Sequence, residues 1–102
     1  MTTDQKQGVR PERFESGQRI ILDVNLYRGN KNIKIHPSSY AKFPACLPKG
    51  SRGAVDDDSK GELFVKFMIA EPKDLEQEFL GDNTVYLTLP LDMRGSVRKQ
   101  IG

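Results

Sequence analysis

Three stretches of this chain alternate apolar and polar residues with a period of two, a pattern that fits strands and does not fit amphipathic helices. The strongest is "ELFVKFMI" at 62–69, where Leu63, Val65, Phe67 and Ile69 share one face and Phe64 and Met68 the other. It reads as the central core strand, with apolar residues on both sides. "QRIILDVNLY" at 18–27 places Ile20, Leu22, Val24 and Leu26 inward, and "NTVYLTLP" at 83–90 does the same with Val85, Leu87 and Leu89. The turn cluster "RGNKN" after the first stretch and the resumed alternation at Ile33 and Ile35 predict a hairpin between 18–26 and 33–35. A second hairpin is expected over 53–69, with "DDDSKG" as an acidic, solvated turn that discourages edge pairing.

Other segments punctuate this pattern. Residues 1–16 are polar and aperiodic and read as a flexible tail, in which Phe14 is the single residue with a reason to dock. "EPKDLEQEFLG" carries Pro72 where a first helical turn tolerates it and Gly81 where a helix ends, predicting a short helix at 72–80. Residues 93–102 are expected to fray. The domain proper is therefore placed at 17–92, and the fold class is mainly β.

The loop at 36–50, "HPSSYAKFPACLPKG", holds three prolines and is expected to carry neither helix nor long strand. It is nevertheless apolar, with Tyr40, Phe43, Ala45, Cys46 and Leu47. Such a loop either folds back onto its own domain or presents a binding surface. Tyr40, Phe43 and Leu47 are the candidate protein-binding residues.

Charge is uneven along the chain. Residues 18–53 contain seven Lys/Arg against one Asp, while 54–92 contain ten Asp/Glu against three Lys, within a net charge of +2. Pairing strands from the two regions would neutralise these charges across the sheet; keeping them apart would make a dipolar surface. The second arrangement permits self-association as a homodimer. It also permits nucleic-acid binding through Arg28, Lys31, Lys34, Lys42, Lys49 and Arg52, with Tyr40 or Phe43 as a stacking platform.

The stretch 47–67 tests three kinds of chemistry. A phosphate loop needs Gly-Lys-Ser/Thr opening a helix, whereas here Lys49-Gly50-Ser51 leads into a strand. A calcium loop counted from Asp56 places Lys60 and Phe67 where ligands belong. One His and one Cys, His36 and Cys46, fall short of a zinc site. No metal and no cofactor are expected, and no catalytic residues are assigned. A single cysteine and the absence of a long apolar run suggest a reducing, cytoplasmic setting away from membranes.

"IKIHPSSY" followed by "RGAVDDDSKGELFVKF" resembles the SH3-like barrels of a small peripheral photosystem I subunit and of the nitrile hydratase β-subunit. The matching positions are Ile33–Ile35, Pro37, Tyr40, Gly53–Val55 and Val65–Phe67. The chain departs from that pattern in its extra N-terminal strand at 18–26, its longer apolar loop and its acidic helix at 72–80. The resemblance implies a small SH3-like barrel, and such barrels mostly act as docking modules, some of them on nucleic acid. The expected function is a non-catalytic protein–protein docking module. Nucleic-acid binding by the 18–53 segment is the first alternative, and a small barrel nuclease of the toxin type is the second.

Overall fold

The structure is a computed structural model, and it describes residues 13–59, 61–70, 79 and 83–101. The chain is mainly β. In chain order its elements are β1 (Arg19–Leu22), β2 (Leu26–Tyr27), β3 (Lys34–Ile35), the one-turn helix α1 (Pro37–Tyr40), β4 (Cys46–Leu47), β5 (Arg52–Ser59), β6 (Glu62–Met68), β7 (Thr84–Leu89), a 3-10 helix (Leu91–Ser96) and β8 (Val97–Lys99). Six strands form one antiparallel sheet in the order β3-β7-β6-β5-β1-β8, and β2 and β4 pair separately as a short ribbon. The sheet is open, with β3 and β8 as its edges, so its ladders do not close into the expected barrel.

The period-two pattern predicts the central strands well. Leu63, Val65 and Phe67 of β6 and Val85, Leu87 and Leu89 of β7 are all buried, and Val65 sits opposite Val55 on one side and Leu87 on the other. Their inner face joins Ile20, Leu22, Leu26, Phe43 and Leu47 in a single core cluster. The ribbon and the segment after α1 thus cover one face of the sheet. Burial at this scale, roughly 25 cal/mol per Å² of apolar surface, is the main favourable contribution available to a domain of this size.

Four expectations are corrected. The first hairpin does not form: the 18–27 stretch breaks after Leu22, Val24 is exposed, and β2 pairs with β4. The side chain of Asn25 holds this break by accepting from the Lys49 amide at 2.8 Å. β3 instead pairs with β7. Second, α1 does form inside the proline-rich loop. Pro37 occupies the first turn, where no amide donor is needed, and the His36 ring caps it by accepting from the Ser38 amide. Third, residues 93–102 do not simply fray, because β8 adds to β1 and extends that side of the sheet.

The fourth correction concerns the acidic triplet, which lies within β5 rather than at the turn. A bulge between Val55 and Asp57 reverses the alternation, so Asp58 points inward. The turn itself falls between the paired Ser59 and Glu62, where Gly61 adopts φ +81°, as a tight two-residue connection requires. Of the helix expected at 72–80, all but Phe79 lie outside the described residues. Phe79 has φ 58°, which is left-handed, and its ring lies against the Arg19 and Lys66 side chains.

The N-terminal segment is attached from Phe14 onward. Phe14 is buried, its amide donates to Asp58 Oδ2 at 2.8 Å, Ser16 Oγ donates to the Asp56 carbonyl, and the Gly17 amide donates to the Val55 carbonyl. Residues 1–12 lie outside the described part. A truncation starting at Arg13 is expected to melt like the full chain. One starting at Ser16 removes Phe14 and is expected to cost about 2 kcal/mol, less than a core Phe because freeing the segment recovers chain entropy. Thermal melts of the two truncations check this, and equal melting temperatures would refute the role given to Phe14.

Candidate functional site

The structure divides the predicted docking residues. Phe43 and Leu47 are core residues, 2% and 0% exposed, and are withdrawn from the candidate surface. The physical reason is the ribbon: pairing of Leu26 with Leu47 turns both side chains against the sheet, and α1 delivers Phe43 to the same cluster. Ser39 anchors α1 from beneath, its hydroxyl accepting from the Tyr86 amide at 2.8 Å. Tyr40 alone remains outside, 56% exposed.

A residue not among the predicted docking set joins it. Tyr27, opposite Cys46 on the ribbon, faces away from the core and is 57% exposed. Arg28 follows Tyr27 directly, and its guanidinium lies 4.4 Å from the centre of the Tyr40 ring. A turn closed by Asn30, whose amide donates to the Tyr27 carbonyl, carries the chain to the exposed Lys31. The result is an exposed Tyr40 covered on one side by the Arg28 side chain, with the exposed Tyr27 and Lys31 flanking Arg28 in the chain. Tyr27 was legible in the sequence as the last outward position of its stretch, but only the β2–β4 pairing sets it opposite Cys46 with its ring exposed.

The basic residues do not form one patch. Lys34 on β3 pairs with Glu62 at 3.8 Å, which takes it to the outer face of the sheet. Lys49 and Arg52 line a cleft of about 370 Å³ together with Pro44, Cys46, Met68 and Ile69. Lys42 is half-buried beyond α1. The Lys34–Glu62 pair joins the basic and acidic regions, whereas Lys66 meets Asp56 at 3.3 Å within the acidic region and Arg98 of β8 meets Asp23 at 2.8 Å.

Within the stretch 47–67, the amides of Lys49, Gly50 and Ser51 donate to Asn25 Oδ1, the Leu22 carbonyl and the Pro48 carbonyl, so none is turned toward an anion. The three aspartates engage different partners: Asp56 the Lys66 ammonium, Asp57 the Ser59 hydroxyl, and Asp58 the Arg94 guanidinium. No group of three or more His, Cys, Asp or Glu side chains converges among the described residues. His36 and Cys46 line different depressions, the first a groove of about 280 Å³ with Pro37, Phe64 and Tyr86, the second the 370 Å³ cleft.

Among the described residues, Asp58 and Arg94 form the most buried ion pair, at 4% and 5% side-chain exposure. Arg94 Nη1 donates to Asp58 Oδ1 at 2.7 Å and Nη2 to Oδ2, a bidentate fork. Hydrogen bonding from Arg94 is the main reason the Asp58 carboxyl is held below its usual range, with the Phe14 amide and the charges of Arg94 and Arg13 adding to it against the opposing effect of burial. The pair ties β5 to the 3-10 helix, with the Phe14 ring 5.8 Å from both the Arg94 guanidinium and the Lys99 ammonium. Its geometry is that of a structural clasp.

No protein family, curated protein or solved structure was found to match this chain. Among the described residues, no helix is long and apolar enough to cross a membrane.

Proposed function

We propose that this protein is a non-catalytic docking module whose working surface is Tyr27, Arg28 and Tyr40, at the end of the β2–β4 ribbon. The observation that carries this reading is the stacking of Arg28 on the exposed Tyr40, with the exposed Tyr27 next to Arg28 in the chain. Tyr and Arg are the residue types that dominate interface energies, because each offers a broad, stiff contact area together with polar edges. Pre-stacking of Arg28 on Tyr40 lowers the entropy lost when a partner is bound. The relation to SH3-like barrels belongs to the same proposal and rests on the resembling segments, not on barrel closure. So does a cytoplasmic setting, which rests on the free Cys46. The separation of His36 from Cys46 is the reason for preferring a docking role to an enzymatic one. A two-fold dimer through this face would set Arg28 and Lys31 against their own copies, so the partner is taken to be a different chain.

Site-specific photo-crosslinking in the cells that make the protein tests this. A benzophenone side chain at Tyr27 or Tyr40 is expected to yield a discrete adduct, and the same group at the exposed Leu91 is expected to yield none. Equal labelling from all three positions, or none from the tyrosines, refutes the assignment.

A further inference from the structure

We infer that the partner of this surface presents an acidic polypeptide segment, with carboxylates that meet Arg28 and Lys31 at one end of the ribbon and Lys49 at the other. The inference rests on the docking reading above and adds the chemistry of the occupant. Its basis is an imbalance in how the cations are neutralised. Lys34, Lys66, Arg94 and Arg98 each pair with a carboxylate, namely Glu62, Asp56, Asp58 and Asp23. Arg28, Lys31 and Lys49 make no ion pair among the described residues. The local sequence supplies no counter-charge either, since residues 24–55 contain no Asp or Glu.

Geometry sets the form of the occupant. Arg28 lies opposite Ala45, and Asn25 holds the Lys49 amide, so the two ends of the ribbon are three residues apart along the chain through β2. At the rise of an extended strand this is roughly 10 Å, within reach of a short extended peptide. Between the two ends the ribbon offers the exposed Tyr27 and Pro48 to apolar partner side chains. Arg28, lying against Tyr40, keeps its donor edge available for a bidentate carboxylate.

A nucleic acid fits less well. Arg28 covers one face of the Tyr40 ring and so blocks base stacking there. Three cations spread along the ribbon also make a short track for a phosphate backbone.

Fluorescence anisotropy with two labelled probes tests the inference: a peptide of alternating Glu and Val, and an oligothymidylate of equal charge. The peptide is expected to bind saturably and more tightly than the oligonucleotide. Arg28→Gln combined with Lys31→Gln is expected to weaken the peptide about tenfold, the size typical when two surface charge interactions are removed together. Lys34→Gln combined with Arg98→Gln, which removes the same charge elsewhere, is expected to leave binding within about twofold. Tighter binding of the oligothymidylate, or equal weakening in both double variants, overturns the inference. If neither probe binds while the Tyr27 crosslink persists, the acidic partner is refuted and the docking surface stands. If the crosslink is absent as well, both fall.

Discussion

Asp58→Asn is expected to lower the stability of this domain by about 3–5 kcal/mol at neutral pH, because it leaves the buried Arg94 guanidinium facing a neutral amide. For a chain of this length that corresponds to a fall in Tm of roughly 12 °C or more. The pH dependence separates a charge effect from a packing effect. In the folded protein the Asp58 carboxyl is held below its ordinary value of 3.8, so the folded state binds its proton less readily than the unfolded chain does. The stabilisation from this group is therefore complete above the ordinary carboxylate range and is lost as pH falls through the lower folded-state value. Melts of the natural chain are expected to hold steady from neutral pH down to about pH 5 and to weaken below about pH 4. The Asn variant starts lower and is expected to lack this component of the acid loss. A variant as stable as the natural chain at neutral pH, with an unchanged acid profile, would refute the role given to the clasp.

The second large effect is expected at the crossing of β5 and β6. Phe67 has no exposed surface and sits directly opposite Gly53 in the ladder. Phe67→Ala is expected to cost about 3–5 kcal/mol, the lost transfer energy plus that of the cavity left behind. Gly53 is the other half of this contact. A Cβ at that position would fall on the Lys66 carbonyl oxygen and 2.6 Å from Phe67 Cδ1. Gly53→Ala is expected to cost about 1–3 kcal/mol or more. Shortening the ring with Phe67→Leu is not expected to rescue it, because the carbonyl clash is with backbone that pairing holds in place. Urea unfolding of the two single variants and the double variant measures the coupling. Full rescue by Phe67→Leu would show that the ring, and not the backbone, excludes a side chain at position 53.

The seven basic residues of 18–53 show how far charge counting reaches. Their number is plain in the sequence, but β3 carries Lys34 away to Glu62 while Arg28, at the end of the ribbon, lies on Tyr40. Strand partnership decides which cations are neutralised, and a one-dimensional pattern contains no partner. The same limit explains Phe43 and Leu47. An apolar residue in a loop looks the same whether the loop lies on the core or away from it.

What the sequence by itself determined is local. The period of two placed β6 and β7 and their buried faces, and Gly61 after the polar run marked the hairpin turn, because side-chain alternation and backbone freedom depend on adjacent residues alone. What only the tertiary structure decided is long-range. It split 18–27 between two sheets and brought 97–99 back to β1. It also inserted the bulge that turns Asp58 toward Arg94, and it set Arg28 against the Tyr40 ring. Each of these depends on pairing between residues far apart in the chain. That pairing is chosen by the packing of the whole core, so no single segment of the sequence carries it.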